Sequence, residues 1–148
     1  MYNLVKRQAE VEILPMALSE KLGVISYSPL GGGLLTGKYG PANKPEAGRL
    51  VENPMYKVRY GEDWVYQVAG EFTAFAQARG YDPAALAVAW AAGHPAITAP
   101  IIGARSLAQL EVSLQALQID MTPELRAEIS ALSLEPPLAT DRAEEKAR

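Results

Sequence analysis

The sequence predicts an α/β fold in which parallel strands alternate with helices. Two short runs, 24–27 and 98–103, are rich in β-branched residues and are bounded by Gly or Pro, which is typical of strands. The longer segments around them carry apolar residues at every third or fourth position, the period of a helix. Asp82-Pro83 and Thr122-Pro123 each join a helix-capping side chain to a proline that a first turn tolerates. This alternation implies parallel strands joined by crossover helices.

The first part of the chain is predicted to contain a stub, a helix and a strand. Residues 2–4 form a short extended stub. A helix lies within 10–22 and begins near Ile13, because Pro15 is tolerated only in a first turn, and Gly23 ends it. The apolar residues that recur at helical spacing in this segment are Val11, Leu14, Leu18 and Leu22.

Residues 40–62 predict a long loop, because they hold three prolines and three glycines and show little periodicity. A loop of this length in a compact domain is usually functional or disordered. Helices are predicted over 63–79 and over 82–92, where apolar residues line one face. Trp64 and Trp90 fall among those apolar positions, so both are predicted to lie in the core.

The last part of the chain predicts two further helices after the second strand. Ser106 and Gln109 form a capping box, in which the serine caps the Gln109 amide and the glutamine reaches back. That helix is predicted to pack against a core through its leucines, and Thr122-Pro123 begins the final helix. The leucines concerned are Leu107, Leu110, Leu114 and Leu117. We place one domain at 1–134 and a loosely packed tail, with two prolines and alternating charge, at 135–148.

Composition and charge exclude several classes of function. The 148 residues suit one domain, and a net charge of −3 is not that of a general nucleic-acid binder. No apolar run approaches the roughly 20 residues that span a bilayer, and no signal peptide is recognisable, so we predict no membrane partner and a cytoplasmic location. The absence of cysteine removes disulfides and thiolate metal sites, and scattered carboxylates predict no metal site. The one histidine, His94, lies in a connector and is not predicted to be catalytic.

Two segments have the composition of anion-binding loops. In the first, the strand ending at Tyr27 runs into Ser28-Pro29-Leu30 and three glycines, and glycines let backbone amides approach a phosphate. The alternative is a tight surface turn with one half-buried tyrosine. In the second, the strand at 101–103 leads through Arg105 into a helix capped by Ser106, and a helix N-terminus binds anions. The alternative there is a cap beside a solvated arginine. Two such loops after successive strands make a dinucleotide site plausible.

Two or three strands do not complete a parallel architecture. An open parallel sheet normally has helices on both faces, and the number of strands here is too small for a barrel. We therefore expect the chain to be a piece of something larger.

Motifs of a known family are spread over most of the chain. They are Tyr2-Asn3-Leu4, 10–15, 23–30, 33–39, Gly48-Arg49, Asn53-Pro54, 87–90, 102–105 and 109–111. In this order and spacing, from residue 2 to about 133, the sequence resembles the aldo-keto reductase family. It is most similar to the bacterial and potassium-channel-β-like branch, through its Ser-Pro-Leu-Gly and Thr-Gly-Lys-Tyr segments. The resemblance implies the C-terminal portion of a (β/α)8 TIM barrel, about strands six to eight with their helices, as an incomplete barrel.

The resemblance also implies a nicotinamide-dinucleotide site. The residues that would bind the cofactor are Tyr27, Ser28, Leu30, Gly32, Lys38, Arg49, Gly103, Arg105 and Gln109. Tyr27 would stack under the nicotinamide ring, and the pyrophosphate would be contacted by Ser28, Leu30 and Gly32. Lys38 and Arg49 would flank the cofactor from the long loop. The adenosine end would be held by Gly103, Arg105 and Gln109. Arg105 or Gln109 near a 2′-phosphate favours NADP(H) over NAD(H).

The chain departs from the family pattern in three places. The catalytic Asp, Tyr, Lys and His of the family come from the first half of the barrel, and no residue here corresponds to them. The glutamine that contacts the carboxamide would precede Met1. Val112-Ser113 stand where many relatives have Glu-Asn, which removes a carboxylate and an amide expected to contact adenine.

The resulting interpretation is the C-terminal, cofactor-binding part of an NADP(H)-dependent aldo-keto reductase, which would reduce a carbonyl to an alcohol when intact. Because the tetrad is absent, we expect no catalysis by this chain alone. The alternatives are a module that binds a nicotinamide nucleotide without catalysis, and a half-barrel that covers its strands by self-association or by pairing with an N-terminal half. A truncated gene product is a third, because Met1 occupies a position that is internal in the family.

Overall fold

The strands form a two-stranded parallel sheet in a computed structural model that describes residues 1–43 and 45–137. Strand β1 spans Ile25–Tyr27 and strand β2 spans Ala99–Ile101. Their register sets Ile25 opposite Ala99 and Tyr27 opposite Ile101. The predicted α/β class and the parallel pairing are confirmed, although both strands are shorter than the runs that predicted them.

Seven α-helices lie within the described residues. They are α1 (Ile13–Ser19), α2 (Arg49–Glu52), α3 (Pro54–Arg59), α4 (Asp63–Ala78), α5 (Pro83–Ala92), α6 (Leu107–Leu114) and α7 (Pro123–Ser130). Short 3-10 turns cover Gln8–Glu10, Gly31–Gly33 and Gln115–Gln118. Asp82 and Thr122 cap α5 and α7 through their side chains, as predicted.

The prediction of a loop over 40–62 is wrong for its second half, which holds α2 and α3. The Asn53 side chain accepts a hydrogen bond from the Met55 amide at 3.0 Å, and Pro54 occupies the first turn of α3. The Glu52 carboxylate accepts from the Gly48 amide at 3.0 Å at the start of α2. These local caps stabilise two helices that are too short to show an apolar period.

Helix α5 is the centre of the core. It is buried from Pro83 to Ala91 and contacts α4, α6 and β2. Its alanines let neighbouring elements approach closely, while Trp90 fills the larger space beside the stacked ring of Tyr2, 5.1 Å between centroids. The prediction that both tryptophans lie in the core is confirmed for Trp90, whereas Trp64 is half-buried at its edge.

The stub at 2–4 is buried but is not a strand. Asn3 and Lys6 exchange backbone hydrogen bonds across a tight turn. The Tyr2 amide donates to the Tyr27 carbonyl at 3.1 Å, so this segment meets the sheet only at the end of β1. The reason is the turn itself, which directs the chain away before a second pair of backbone bonds forms.

A buried polar cluster attaches this N-terminal segment to α7. The Tyr2 hydroxyl donates to Glu10 Oε1 at 2.5 Å, and Arg126 donates to the Tyr2 hydroxyl at 2.6 Å. Arg7 forms an ion pair with Glu10 at 2.8 Å and donates to the Ser130 carbonyl at 3.0 Å. Buried charges are tolerated when paired in this way.

Several apolar surfaces of the described residues are uncovered. On one face of the sheet Ile25, Tyr27 and Ile101 are 66%, 50% and 57% exposed. Of the apolar residues at helical spacing in the first helical segment, only Leu14 is buried. The prediction that the leucines of the segment 107–117 pack against a core is wrong for three of the four. Leu107 and Leu114 are exposed on α6, whose buried residue is Ser113, and Leu117 is exposed on the 3-10 turn that follows.

The described residues form an α/β unit with one short sheet. Residues 135–137 have no helix or strand, and the remainder of the predicted tail, 138–148, lies outside the described residues. Within the part of the chain that the structure describes, no helix combines the length and apolar character needed to cross a membrane.

Candidate functional site

The two predicted loops leave the sheet at the same edge. Tyr27 is opposite Ile101, and each is the last residue of its strand. Because the strands are parallel, the glycine turn that follows β1 and the segment that leads into α6 both begin at the carboxyl edge. Ligands of open α/β sheets bind outside this edge.

The turn after β1 has an unusual backbone. Ser28 has φ +63°, and the three glycines that follow Leu30 have φ between +58° and +101°. The Gly31 amide donates to the Ser28 carbonyl at 3.0 Å, and the Gly33 amide donates to the Leu30 carbonyl at 3.0 Å. Glycine adopts these angles without steric cost, whereas a serine at positive φ is strained unless its surroundings hold it.

Gly32 and Arg49, two of the predicted contacts, meet the same tyrosine. A Cβ on Gly32 would lie 2.6 Å from Tyr56 Cε1, so the Tyr56 ring fills the space beside that glycine. The guanidinium carbon of Arg49 lies 5.5 Å from the centroid of the same ring, and that of Arg59 lies 5.3 Å from it. A guanidinium this close to an aromatic ring is attracted to its face.

Lys38 lies beside the last glycine of the turn, Gly33. Its ammonium would be 3.6 Å from a Cβ on Gly33, and it is 5.4 Å from the Tyr39 ring centroid. The structure therefore brings Lys38 and Arg49 to the same turn from different segments. Tyr56 and Arg59 were not predicted from the sequence. The sequence feature that could have located them is Asn53-Pro54, which predicts the start of a helix that would contain both residues.

Tyr27 and Leu30 occupy different environments at the start of this turn. Tyr27 lies on the uncovered face of the sheet, so one side of its ring is open. Leu30 is half-buried and packs against the core, which leaves its backbone rather than its side chain for a ligand. Burial raises the pKa of Tyr39 next to Lys38, an effect opposite to that expected of a proton donor acting near neutral pH.

The second loop is held by its own helix cap. Ser106 Oγ accepts from the Gln109 amide at 3.3 Å, and Gln109 Oε1 accepts from the Arg105 amide at 2.9 Å. The predicted capping box is present, but the Gln109 side chain binds the amide of Arg105, one residue before Ser106, rather than the amide of Ser106 itself. A Cβ added at Gly103 would have no atom within 4 Å, and residues 103–109 are exposed.

Val112 and Ser113, where the sequence differs from the family pattern, are half-buried and buried, respectively. Ser113 is buried and donates to the Gln109 carbonyl at 3.1 Å. Val112 is half-buried on the same helix. Neither side chain therefore projects from α6 as a free polar group.

His94 has a structural environment. Its Nδ1 accepts from the Ala96 amide at 3.1 Å, and its ring meets the edge of Tyr2 at 5.6 Å. Burial and the nearby charge of Arg126 lower its pKa below the ordinary 6.5. It precedes β2 and so lies toward the amino edge, away from both loops.

Two shallow concavities lie elsewhere, one lined by residues 17–23 and 95–98 and one between residue 93 and α7, and neither includes a predicted contact residue. Within residues 1–43 and 45–137, no group of three or more His, Asp or Glu is placed to hold a metal ion.

Fold and site together define an α/β protein with two potential anion-binding loops at one strand edge. The sequence model described as the aldo/keto reductase family matches residues 1–133. The chain belongs to the aldo/keto reductase family, and the prediction of that family is confirmed.

Curated relatives agree with this assignment. An uncharacterized oxidoreductase of Bacillus subtilis (strain 168), YrpG, is 35% identical over 131 residues, covering 84% of this chain and 36% of the relative. Protein tas of Escherichia coli (strain K12) is 29% identical over 133 residues, covering 88% and 38%. A probable voltage-gated potassium channel subunit beta of Oryza sativa subsp. japonica is 34% identical over 146 residues, covering 95% and 44%. The chain thus spans 36 to 44% of the length of these relatives.

Proposed function

We propose that this chain is the C-terminal, NADP(H)-binding part of an aldo-keto reductase whose intact form reduces a carbonyl to an alcohol. The observation that carries the proposal is that the glycine turn and the capped start of α6 leave the same edge of the sheet. Members of this family bind nicotinamide cofactors. The family and the arrangement of loops therefore support the same ligand class.

The chemistry of the side chains fits a dinucleotide. Lys38 and Arg49 supply positive charge beside the glycine turn, and Arg105 supplies it beside the α6 N-terminus. Backbone amides at a helix N-terminus stabilise anions in the same way. An added Cβ at Gly103 would enter open space, so the second loop leaves room for a ligand.

Each group would have one role. The exposed face of Tyr27 would orient the nicotinamide ring, which supplies a hydride when bound. Ser28, Leu30 and Gly32 would lie along the pyrophosphate, and Arg49 and Lys38 would offset its charge. Gly103, Arg105 and Gln109 would hold the adenosine end, where Arg105 favours the 2′-phosphate of NADP(H). We propose no residue of this chain as the proton donor, because none corresponds to the family tetrad.

Titration of the chain with NADPH and NADH tests this function through intrinsic tryptophan fluorescence or calorimetry. We expect NADPH to bind more tightly than NADH, and Arg105→Ala to reduce that preference because it removes a charge opposite the 2′-phosphate. Lys21→Ala is the matched control, since Lys21 precedes β1 and lies at the opposite edge. Absence of binding at millimolar NADPH would contradict the proposal.

Tyr27 provides a second test within the same titration. Tyr27→Phe keeps a ring on the open face of β1, whereas Tyr27→Ala removes it. Stacking predicts that the phenylalanine variant retains affinity and the alanine variant loses about tenfold, the effect of one aromatic contact of about 1–1.5 kcal/mol. Equal affinities in the two variants would show that the ring does not contact the ligand.

A second candidate function is association through the uncovered sheet face. Ile25 and Ile101 are more than half exposed on that face, and Tyr27, which is half exposed, lies opposite Ile101 on it. Exposed apolar patches of this kind often mark interfaces. Light scattering tests it: an oligomer that dissociates on Ile25→Lys supports this candidate, and a monomer at all concentrations rejects it.

A further inference from the structure

Asn3 is a buried polar residue that lies beneath the glycine turn. It is fully buried, and its Nδ2 donates to the Ser28 carbonyl at 2.9 Å. The same nitrogen lies 3.3 Å from the Tyr60 hydroxyl, and its Oδ1 accepts from the Val5 amide at 3.2 Å. Every polar atom of the Asn3 side chain is therefore engaged, which fixes its orientation.

The Ser28 carbonyl joins Asn3 to the turn. It accepts a second hydrogen bond from the Gly31 amide at 3.0 Å, which closes the turn. A Cβ on Gly31 would lie 3.9 Å from Asn3 Cγ, so the asparagine side chain also contacts the turn by packing. Next to it, the Tyr2 amide donates to the Tyr27 carbonyl at 3.1 Å. Residues 2 and 3 thus hold two successive carbonyls at the end of β1.

Ser28 is the residue in the turn that most needs such support. Its φ of +63° is a conformation that residues with a side chain rarely adopt, because the Cβ is brought too close to the following carbonyl oxygen. The bond from Asn3 reaches the carbonyl of that same residue from inside the protein. The Asn3 side chain therefore contacts the turn from the buried side, while Ser28 itself is half-buried.

We infer that Asn3 is a positioning residue for the nicotinamide nucleotide: it holds the Ser28 turn in its binding conformation without contacting the ligand. This inference rests on the proposed function. The inference adds Asn3 to the proposed site, although Asn3 lies 25 positions before Ser28 in the chain.

Asn3→Asp tests the inference, because the shape and the acceptor for the Val5 amide are kept while the donor to the Ser28 carbonyl is lost. Thr122→Ala is the matched control, since it removes a capping bond to the Leu125 amide at 3.2 Å, away from the turn. Both variants should lower Tm. Only Asn3→Asp should weaken NADPH binding, by about tenfold, as expected for one lost hydrogen bond. Equal affinities of the two variants would overturn the inference.

A double-mutant cycle separates positioning from general stability. Glycine adopts positive φ freely, so in a Ser28→Gly background the turn depends less on Asn3. The loss of NADPH affinity caused by Asn3→Asp should therefore be several-fold smaller in that background. An undiminished loss would mean that Asn3 acts elsewhere.

Amide hydrogen exchange distinguishes failure of this inference from failure of the proposed function. If the unmodified chain does not bind NADPH, the proposed function fails, but Asn3→Asp should still accelerate exchange of the Gly31 amide relative to Thr122→Ala. Unchanged Gly31 exchange would overturn the role of Asn3. If Asn3→Asp does not fold, hydrogen exchange of the Asn3 side-chain amide is measured in the unmodified chain instead. Slow exchange supports the hydrogen bond to the Ser28 carbonyl. Exchange at the rate of a solvated amide overturns the inference.

Discussion

The two loops at the carboxyl edge of the sheet are built in different ways. The glycine turn after β1 is held by residues distant in sequence, with Asn3 beneath it and Tyr56 against Gly32. The segment after β2 is exposed, and the side-chain bonds that hold it within the described residues are the short-range ones between residues 105 and 109. The first loop therefore depends on the tertiary fold, whereas the contacts described for the second come from the start of α6.

This difference matters for the proposed ligand. The nicotinamide ring carries the reacting carbon, and a misplacement of about 1 Å can cost two orders of magnitude in rate. The adenosine end supplies affinity and tolerates an open, exposed loop. In the proposed site, the loop held by tertiary contacts would therefore be the one at the nicotinamide end, where position matters most.

The largest expected effect comes from Gly32→Ala. The alanine Cβ would meet the Tyr56 ring at 2.6 Å at a φ of +70°. Positive φ and overpacking together predict a loss of about 2–4 kcal/mol in the free energy of unfolding. Urea denaturation measures it, with Gly103→Ala as the control, because an added Cβ there meets no atom within 4 Å. Equal losses at both positions would remove the contrast between the loops.

Short-range signals made most of the fold predictable. Asp82-Pro83 and Thr122-Pro123 located the starts of α5 and α7, since a capping side chain and a proline act within one turn. Asn53-Pro54 carries the same signal for α3, but the surrounding prolines and glycines suggested a loop. In α6, the leucine spacing marked a helix but gave no information on what covers it.

The contacts from distant residues that hold the glycine turn could not be predicted from the sequence. Tyr27, Ser28 and the glycines stand together in the sequence, so a turn at a strand end was predictable. Asn3 lies 25 residues before Ser28, and Tyr56 lies within the segment that the sequence predicted to be a long loop. Such contacts depend on tertiary packing that no local pattern encodes. The same is true of the cluster that joins Tyr2 to α7.

A smaller effect is expected from acid, through Glu10. Burial alone would raise the pKa of this carboxyl, but hydrogen bonds from Arg7 and Tyr2 and the charges of Arg7 and Arg126 lower it below the ordinary 4.5. The folded state thus favours the ionised form. Its contribution to stability is present above pH 4.5 and is lost as the pH falls through the lowered pKa.

Glu10→Gln isolates this contribution. The difference in free energy of unfolding between the parent chain and the variant should be about 1–3 kcal/mol at pH 7, as expected for a hydrogen bond to a charged group. It should shrink toward pH 3, because the carboxyl of the parent chain is protonated there. His94, whose lowered pKa destabilises the fold below about pH 6.5, adds a second pH dependence, and the Glu10 charge is one of those that act on it. A difference that is independent of pH would show that the carboxylate charge contributes nothing to holding residues 2–10 beneath the first loop.

The smallest effect is expected at the second loop, from Ser106→Ala. This change removes the bond from Ser106 Oγ to the Gln109 amide and should cost about 1 kcal/mol, with Ser106→Asp as a control that keeps a capping oxygen. Because the described residues hold this loop through local bonds, the loss should appear mainly as faster amide exchange at the start of α6, while Gly31 remains protected. Equal acceleration at Gly31 would mean that the two loops open together, and that the adenosine and nicotinamide ends of the proposed site are coupled rather than independently built.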